Sequence, residues 1–337
     1  MKLLVIGGTR FIGRHLVGEA VARGHEVTLF NRGSLPAPDG VAEVTLGDRD
    51  HDLEKLAGGS WDAVIDNVAY FPRQVRELAS AVAGRARHYT LVSTVSVYAE
   101  QDKAGLNEDS ALLELADPES EELTNESYGG LKVLCERELA ANFPGRGLVV
   151  RPGLIVGPHD PTDRFTYWPA RISLGGAVLA PVGPEMPLQW IDVRDLATWM
   201  LDAAEAELEG TFNAVSQAGR FTIGELLDAS LTASGSGAEV VWAPESFLLE
   251  HEVRPFADLP LWIPADGIGF WHTDDSRAIA AGLKVRGVQD TVSATLDWYR
   301  SRLDPQLRVG LTREREAQLV DAWRAKMAGH GRVGYSD

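Results

Sequence analysis

The first sixteen residues, MKLLVIGGTRFIGRHL (residues 1–16), place a cluster of glycines between an apolar run and an amphipathic run. Residues 2–6 predict a buried strand, and the apolar residues within 11–17 recur at helical spacing. Glycine in such a turn lets a ligand approach the backbone closely. The helix that follows begins with unpaired N–H groups and the positive end of its dipole, which favour a phosphate. The stretch therefore predicts a dinucleotide-binding turn, with an ordinary strand-to-helix turn as the alternative; its residues are Gly7, Gly8, Thr9, Arg10, Phe11, Ile12 and Gly13.

The first half of the chain alternates short β-rich runs with helical patterns, as a parallel doubly wound sheet requires. The predicted strands cover residues 2–6, 26–30, 43–46, 63–65, 88–92 and 147–150. The predicted helices cover residues 11–23, 73–83, 128–141 and 312–328. We therefore expect an α/β fold: a Rossmann-type doubly wound parallel sheet with a smaller, partly interleaved C-terminal substrate region.

The amino-acid composition changes after residue 150, where Pro, Gly and Trp become more frequent and the predicted helices and strands become shorter. We predict a dinucleotide-binding domain over residues 1–150. Residues 151–310 are predicted to form mainly the substrate-binding region, with some elements returning to the Rossmann sheet. Residues 311–337 are predicted to be a C-terminal helix and a frayed tail.

Composition narrows the classes of function. A formal net charge of −17 argues against general affinity for nucleic acid or an anionic membrane surface. Cys135 is the single cysteine, so an intrachain disulfide is excluded and a reducing compartment fits. The N-terminus has no signal-type pattern, and no apolar stretch is long enough to span a bilayer. We therefore expect a cytoplasmic protein. We also expect no metal site, because the eight histidines are dispersed along the sequence.

Tyr128 and Lys132 stand four residues apart in a predicted helix and therefore share one of its faces. A tyrosine ordinarily has a pKa near 10, and an ammonium one turn away is expected to lower it. Such a tyrosine can donate a proton to a carbonyl oxygen or accept one from an alcohol. A solvated helix face is the alternative for this pair taken alone.

Hydroxyl side chains follow a β-rich run further upstream, in YTLVSTVSVYAE (residues 89–100). Ser93, Thr94 and Ser96 stand where a parallel strand points its carboxyl end at the crevice. A hydroxyl at this place can hydrogen-bond the substrate oxygen that Tyr128 protonates. A polar start to an ordinary turn is the alternative.

The order of these signals resembles the short-chain dehydrogenase/reductase superfamily, and more narrowly its extended branch with the NAD-dependent epimerases and dehydratases. GGTRFIG is similar to the glycine turn of that branch, with Arg10 at the middle glycine. STVSVY resembles its Ser-Ser/Thr-x-x-Val-Tyr segment, which implies that Thr94 carries the catalytic hydroxyl. YGGLKVLCE, RPGLIVGP and QWIDVRDLA match later segments, so the resemblance extends to about residue 300.

The resemblance implies roles for further residues. Thr94, Tyr128 and Lys132 would be catalytic, and Lys132 would also hold the cofactor ribose. The adenine end of the cofactor would contact Asp48, for which a helix cap is an equal alternative. The resemblance implies further cofactor contacts at Asn67, Ala69 and Ser93. Val95 and Ser96 stand where family sugar dehydratases carry Asp-Glu, which argues against 4,6-dehydration.

The end of the second predicted strand bears on the choice of cofactor. An acid there accepts hydrogen bonds from a ribose 2′-hydroxyl, whereas an arginine accommodates a 2′-phosphate. Here the strand ends in Asn31 and Arg32, and Arg10 in the glycine turn can reach the same phosphate. We therefore predict NADP(H) as the preferred cofactor, with NAD(H) as the alternative.

The substrate region contains a polar and aromatic cluster within GPHDPTDRFTYWPAR (residues 157–171). We give its members as candidate substrate contacts, with a capped turn and a packed helix as the alternative: His159, Arg164, Tyr167 and Trp168. The acidic segment of residues 100–126 is a candidate lid, with a solvated loop as the alternative.

These observations lead to one functional hypothesis and two rivals. The leading hypothesis is an NADP(H)-dependent oxidoreductase that reduces a ketone or oxidises a secondary alcohol of a small molecule. One rival is an epimerase of a sugar or polyol, without net cofactor turnover. The rival from another class is a non-catalytic cofactor-sensing or RNA-binding relative. The resemblance also implies a homodimer formed through the Tyr128 helix.

Overall fold

The computed structural model describes residues 1–330, except the side chains of Gly329 and His330, so the predicted frayed tail lies largely outside the described residues. The strands are β1 Lys2–Ile6, β2 Glu26–Asn31, β3 Glu43–Leu46, β4 Trp61–Asp66, β5 Ala86–Val92, β6 Gly147–Pro152, β7 Ile155–Val156, β8 Ala177–Pro181, β9 Pro187–Leu188, β10 Ile191–Asp192, β11 Gly210–Ala214, β12 Phe221–Thr222 and β13 Glu239–Ala243. The helices are α1 Phe11–Ala22, α2 Pro72–Ala81, α3 Asn125–Asn142, α4 Tyr167–Ser173, α5 Val193–Glu205, α6 Ile223–Ser234, α7 Glu245–Glu250, α8 Ser276–Ala280, α9 Val288–Arg300 and α10 Arg313–His330.

Seven parallel strands form the central sheet, in the order β11-β6-β5-β4-β1-β2-β3. The predicted doubly wound α/β fold is therefore confirmed. The strand order reverses between β1 and β4, which creates the switch point where such sheets bind ligands. Ile6 pairs with both Phe30 and Asp66, so β1, β2 and β4 end at the same level.

The inner strands of the sheet are buried on both faces, which explains their continuous apolar runs, whereas β3 at one edge is largely exposed. Leu3 and Val5 of β1 pack on one face, where α1 and α5 contribute Leu16 and Trp199. Leu4 and Ile6 pack on the other face among residues from α2 and α3. Alternate residues of one strand thus serve two separate hydrophobic cores.

The chain divides into two compact units, each assembled from three separate segments. Unit 1 consists of Met1–Ile155, Gln189–Ala218 and His272–Val285. Unit 2 consists of Val156–Leu188, Gly219–Trp271 and the described residues from Arg286 onward. The seventh strand of the sheet, β11, therefore belongs to the second segment of unit 1, which follows the first segment of unit 2 in the chain.

Unit 2 contains two small strand pairs and several helices. β8 pairs with β13 in parallel, and β9 pairs with β12 in antiparallel fashion. α6 packs against both α4 and α9. Among residues 1–330, no helix has the length and apolar content that a membrane span requires.

α3 begins three residues earlier than the apolar pattern predicts, because a capping box extends it. The Thr124 hydroxyl accepts a hydrogen bond from Ser127 N at 3.2 Å, and Ser127 Oγ accepts one from Thr124 N at 2.9 Å. These bonds satisfy donors at the helix start and fix the first turn. Tyr128 therefore lies in a regular turn of α3.

Gly13 on α1 provides a test of how closely the glycine turn packs. We expect Gly13→Ala to lower the free energy of unfolding by about 1–3 kcal/mol. An added Cβ would lie 2.7 Å from Gly8 Cα and 2.8 Å from Gly8 N, and backbone atoms cannot easily move aside. Urea denaturation measures the effect.

Gly18 on the same helix is the matched control. A Cβ at Gly18 would meet no atom within 4 Å, and alanine is the better helix former. Gly18→Ala should therefore raise the free energy of unfolding by about 0.5–1 kcal/mol. Equal stability of the two variants would contradict the close contact between Gly13 and Gly8.

Candidate cofactor and active site

A cavity of about 430 Å³ lies at the carboxyl ends of β1 to β4, entirely within unit 1. Its lining includes most residues predicted to bind a cofactor, together with others that the sequence did not indicate. The predicted members are Gly7, Gly8, Thr9, Arg10, Asn31, Arg32, Asp48 and Asn67. The additional members are Ile6, Phe30, Ser34, Gly47, Arg49, Asp50, Val68, Tyr70 and Gln74.

The glycine turn has a backbone that only glycine adopts easily. Gly7 and Gly8 have φ angles of +95° and +86°, and a Cβ on Gly8 would lie 2.6 Å from Leu29 Cδ2. Arg10 is the N-cap of α1 and makes no side-chain capping bond, so its side chain does not satisfy the N–H groups at the helix start. The turn and the helix start therefore suit a phosphate group, as a dinucleotide requires.

Two asparagine side chains hold the turn in place. Asn31 Nδ2 donates to Gly7 O at 3.1 Å, while its Oδ1 accepts from Gly33 N at 2.8 Å. Asn67 Nδ2 donates to Ile6 O at 2.8 Å. Both amides thus brace the backbone at the ends of β1, β2 and β4 while their residues line the cavity.

Arg10 and Arg32 are exposed cations at the cavity. Neither guanidinium makes a hydrogen bond or ion pair within the part of the chain that the structure describes. Both groups are therefore available to an anion. No acidic residue stands at the end of β2, where a ribose 2′-hydroxyl would need an acceptor.

Asp48 follows β3 and also lines the cavity. Its Oδ1 accepts from Asp50 N at 3.0 Å, and its backbone N–H donates to Asp52 Oδ2 at 2.8 Å. The N-cap of the short 3₁₀ helix Leu53–Leu56 is Asp52. Asp48 therefore shapes the loop before that helix and does not cap it.

A buried carboxylate, Asp66, lies beneath this cavity at the end of β4. It accepts two hydrogen bonds from Arg49, both at 2.9 Å, and one from the Tyr89 hydroxyl at 2.8 Å. Its Oδ1 also accepts from Val68 N at 3.2 Å. Burial alone would raise the pKa of Asp66, but Arg49 and these hydrogen bonds hold that pKa below its usual value.

The structure brings Thr94 and Tyr128 together. Thr94 follows β5 as the N-cap of the short 3₁₀ helix Val95–Val97, where its hydroxyl accepts from Ser96 N at 3.1 Å, and its side chain lies close enough to the Tyr128 phenol to affect the phenol's pKa. Burial raises the pKa of Tyr128, and the nearby Tyr70 phenol raises it further. The nearby Thr94 side chain lowers that pKa without reversing the shift.

Lys132 is buried, and its ammonium donates to Ala69 O at 2.7 Å and to Val92 O at 2.6 Å. Burial lowers the pKa of Lys132. We expected this ammonium to lower the pKa of Tyr128; instead, burial sets the direction of the Tyr128 shift. Two of the three N–H groups of Lys132 bind the loop after β4 and the end of β5, which leaves one for a ligand.

The Ser93 hydroxyl belongs to a buried network. It donates to Glu136, which also accepts two hydrogen bonds from Arg151 at 3.0 and 2.7 Å. Arg151 continues to the Tyr98 hydroxyl at 3.1 Å. Sequence reasoning missed Glu136 as a site residue, although it lies one turn beyond Lys132 on α3. The network fixes α3 against β5 and β6 beside the Thr94–Tyr128 pair.

The remaining residues of the predicted cofactor site do not line the 430 Å³ cavity. Phe11 and Ile12 are half-buried at the start of α1, and Gly13 is buried against Gly8. Ala69 is buried and contributes its carbonyl to Lys132.

The acidic segment is anchored near its middle. Glu108 is buried and accepts a hydrogen bond from Asn213 N of β11 at 2.8 Å. The Gly105 N–H donates to His272 O at 2.7 Å. These contacts tie part of the candidate lid to the body of unit 1.

The four candidate substrate contacts lie in unit 2. Tyr167 and Trp168 are fully buried on α4, and Trp168 Nε1 donates to Pro260 O at 2.8 Å. Tyr167 and Trp168 therefore lie in a packed helix, which is the alternative that we gave to substrate contact. The His159 ring lies 5.4 Å from that of Trp298, and Arg164 is half-buried. Among residues 1–330, no group of three His, Cys, Asp or Glu residues could hold a metal ion.

A protein with this sheet, this switch point and this glycine turn is a dinucleotide-binding protein of the Rossmann type. The chain belongs to the NAD dependent epimerase/dehydratase family, whose model matches residues 3–215. It is 31% identical over 264 residues to the epimerase family protein SDR39U1 of Bos taurus. That match covers 71% of this chain and 82% of the bovine protein.

Solved structures share the fold. Human epimerase family protein SDR39U1 (isoform 2) with NADPH is 22% identical with a TM-score of 0.60, over 88% of this chain and 99% of that one. UDP-glucuronic acid 4-epimerase from Bacillus cereus in complex with NAD is 18% identical with a TM-score of 0.65, over 91% of this chain and 99% of that one.

Asp66 provides a test of the buried cluster. We expect Asp66→Asn to lower the free energy of unfolding by about 3–5 kcal/mol, because it leaves the Arg49 guanidinium buried without a countercharge. Asp202→Asn is the matched control, since Asp202 pairs with Arg23 while half exposed. The control should cost less than about 1 kcal/mol. Urea denaturation at neutral pH compares the two.

The same cluster predicts a pH dependence. The pKa of Asp66 is lower in the folded chain, so its stabilisation is present above the unfolded pKa of about 3.9 and is lost as the pH falls through the folded value. The wild type should therefore lose this part of its stability only in acid, below about pH 4. An unchanged pH profile in Asp66→Asn would contradict this role.

Proposed function

We propose that the chain is an NADP(H)-dependent oxidoreductase of the extended short-chain dehydrogenase type, which reduces a ketone or oxidises a secondary alcohol. Membership of the NAD-dependent epimerase/dehydratase family supports a nicotinamide cofactor. The observation that carries the proposal is the closeness of the Thr94 side chain to the Tyr128 phenol, one turn before the buried Lys132 on α3. Three groups from two distant segments of sequence converge at the carboxyl ends of the sheet.

The proposed chemistry assigns one task to each group. The Tyr128 phenol donates its proton to the ketone oxygen, or accepts one from the alcohol in the reverse direction. Thr94 hydrogen-bonds the same oxygen, and the remaining N–H of Lys132 holds the ribose. The nicotinamide, when bound, supplies or accepts the hydride. The pKa of Tyr128 is raised by burial, so the phenol is protonated near neutral pH and holds the proton that the ketone oxygen needs.

The proposed cofactor preference rests on Arg10 and Arg32. Two guanidinium groups at the cavity that have no hydrogen-bond or ion-pair partner within residues 1–330 suit the 2′-phosphate of NADP(H). The fold neighbours include one structure with NADPH and another with NAD, so both cofactors occur on this fold. The side chains of this chain therefore provide the argument for NADP(H).

An epimerase is the second candidate, favoured by the family and by the relative named as an epimerase family protein. Net change in the absorbance of the reduced cofactor distinguishes the two: a reductase consumes NADPH and an epimerase does not.

The non-catalytic alternative is opposed by the grouping of Thr94, Tyr128 and Lys132. RNA binding is also opposed by the net charge of −17. The proposed substrates are small molecules. We also propose that the protein is cytoplasmic and forms a homodimer through α3. Analytical ultracentrifugation measures the oligomeric state.

Tyr128→Phe tests the proposed acid. We expect loss of turnover by a factor of about 100 or more, because general acid catalysis typically contributes 10²–10⁴-fold. NADPH affinity should stay within about twofold, since the phenol is assigned to the substrate oxygen. Substrates are found by screening ketones and secondary alcohols for oxidation or reduction of the cofactor.

Tyr299→Phe is the matched control, because it also removes one phenol oxygen but lies in unit 2, where that hydroxyl bonds Pro305 O. The control should retain turnover. Full activity in Tyr128→Phe would refute the enzymatic assignment.

Arg10→Gln and Arg32→Gln test the cofactor preference. Each should weaken NADPH binding by about tenfold or more and leave NADH binding nearly unchanged, because only NADPH carries the 2′-phosphate. Arg14→Gln is the matched control, since Arg14 is an exposed arginine on the next turn of α1 that does not line the cavity. Fluorescence titration of both reduced cofactors measures these affinities. Wild-type protein that binds NADH as tightly as NADPH would disprove the preference.

A further inference from the structure

Residues 114–123 of the acidic segment form a strap between two anchored points of unit 1. Before the strap, Leu113 N donates to Val97 O at 2.8 Å. After it, Thr124 and Ser127 form the capping box of α3. The strap itself contains no helix or strand. Its position therefore depends on what its side chains contact.

The first part of the strap packs against two glycines of α3. A Cβ on Gly130 would lie 2.5 Å from Leu115 Cγ, and one on Gly129 would lie 2.6 Å from Leu113 Cδ1. A larger residue at either position would collide with a leucine. The two glycines directly follow Tyr128 in α3, so the strap begins beside the proposed acid.

An ion pair attaches the far part of the strap to α2. Arg73 Nε and Nη2 donate to the two carboxylate oxygens of Glu121 at 3.0 and 3.1 Å. Such a bidentate pair fixes the direction of the partner as well as its distance. The strap carries four further acids that make no ion pair within residues 1–330: Glu114, Asp117, Glu119 and Glu122.

Arg73 also joins the strap to the wall of the proposed cofactor cavity. Its Nη1 donates to Asp50 Oδ1 at 3.3 Å, and Gln74 Nε2 donates to the same oxygen at 3.0 Å. Asp50 and Gln74 both line the cavity. One guanidinium therefore contacts the strap and a residue of the cavity wall at the same time.

The contacts of Arg73 are of a strength that allows release. Glu77 Oε2 accepts from Arg73 Nη1 at 3.2 Å, so three carboxylates share one guanidinium. The four side chains are between 31% and 41% exposed. Ion pairs with this exposure contribute little stability, and salt weakens them. The pair with Glu121 can therefore hold the strap and still open.

We propose that the strap closes over the rim of the cofactor cavity, that the Arg73–Glu121 pair is its latch, and that the latch opens when the cofactor enters or leaves. The contacts of the strap lie beside Tyr128 at one end and beside Asp50 at the other, so it follows the side of the cavity that α2 and α3 form. The inference rests on the proposed function, which supplies the identity of the cofactor.

Glu121→Gln tests the latch, with NADPH as the probe and the full chain as the protein. The substitution removes the charge that Arg73 holds on the strap and leaves the contact between Arg73 and Asp50. The dissociation rate of NADPH, measured by stopped-flow fluorescence, should rise about two- to fivefold, which is the range for a partly exposed ion pair. Arg73→Lys keeps the charge without the planar fork and should give a smaller increase.

Glu138→Gln is the matched control. Glu138 accepts from Arg76 at 2.9 Å and joins the same two helices, α2 and α3, but neither residue lines the cavity. This variant should release NADPH at the wild-type rate. An unchanged rate in Glu121→Gln, or an equal increase in Glu138→Gln, would overturn the proposal. Circular dichroism shows whether each variant folds.

Limited proteolysis tests the latch without the cofactor. A glutamate-specific protease cuts the open strap, and Arg73→Gln keeps every glutamate of the chain. Arg73→Gln should be cut in the strap about two- to fivefold faster than the wild type, because cleavage follows the open population. Arg76→Gln, one turn further along α2, should be cut at the wild-type rate. Saturating NADPH should slow cleavage of the wild type, since a strap that holds the cofactor is held by it in return.

Equal cleavage of the wild type and Arg73→Gln would overturn the latch. Failure of the wild type to bind NADPH would instead refute the proposed cofactor, and the proteolysis comparison would still decide whether the latch exists. NADPH that binds but leaves at the same rate from the wild type and Glu121→Gln would refute the strap alone.

Discussion

The buried carboxylate of Asp66 is the constraint on which the candidate cofactor site depends. It lies at the switch point of the sheet, where it receives Arg49 from the loop after β3 and Tyr89 from β5. Its bond from Val68 N fixes the start of the loop that follows β4. One charged group thus joins the end of β4 to the loop after β3 and to the middle of β5. A buried charge tolerates little displacement from its partners, so this cluster holds the floor of the cavity rigidly.

Lys132 is a second buried charge that joins separate segments, here at the proposed reaction site. Its ammonium joins the loop after β4 to the end of β5 through two carbonyl oxygens. Glu136, one turn further along α3, joins Ser93 to Arg151. α3 is therefore attached to the sheet by two polar contacts one turn apart, and Tyr128 lies one turn before the first of them. Backbone carbonyls and a buried ion pair place the phenol beside Thr94.

Much of this could be predicted from sequence, and the exceptions share a physical cause. Apolar runs locate the inner strands of the first half because strands buried on both faces require them, and the exposed edge strand β3 follows from its β-rich composition. The spacing of Tyr128 and Lys132 shows a shared helix face because that contact is local. The Arg49–Asp66 pair joins separate segments and leaves no periodic signal. The pKa of Tyr128 depends on burial, which a sequence does not specify, so its direction differed from expectation.

The interleaving of the two units governs how the chain can acquire its structure during synthesis. β11 pairs with β6 and covers an edge of the sheet that would otherwise remain open, yet some sixty residues separate the two strands. A nascent chain emerging from the ribosome presents the glycine turn early and completes the sheet only after the first segment of unit 2 has been made. A truncation after β6 would expose that strand to pairing with another chain, so the dinucleotide half is not a separable module.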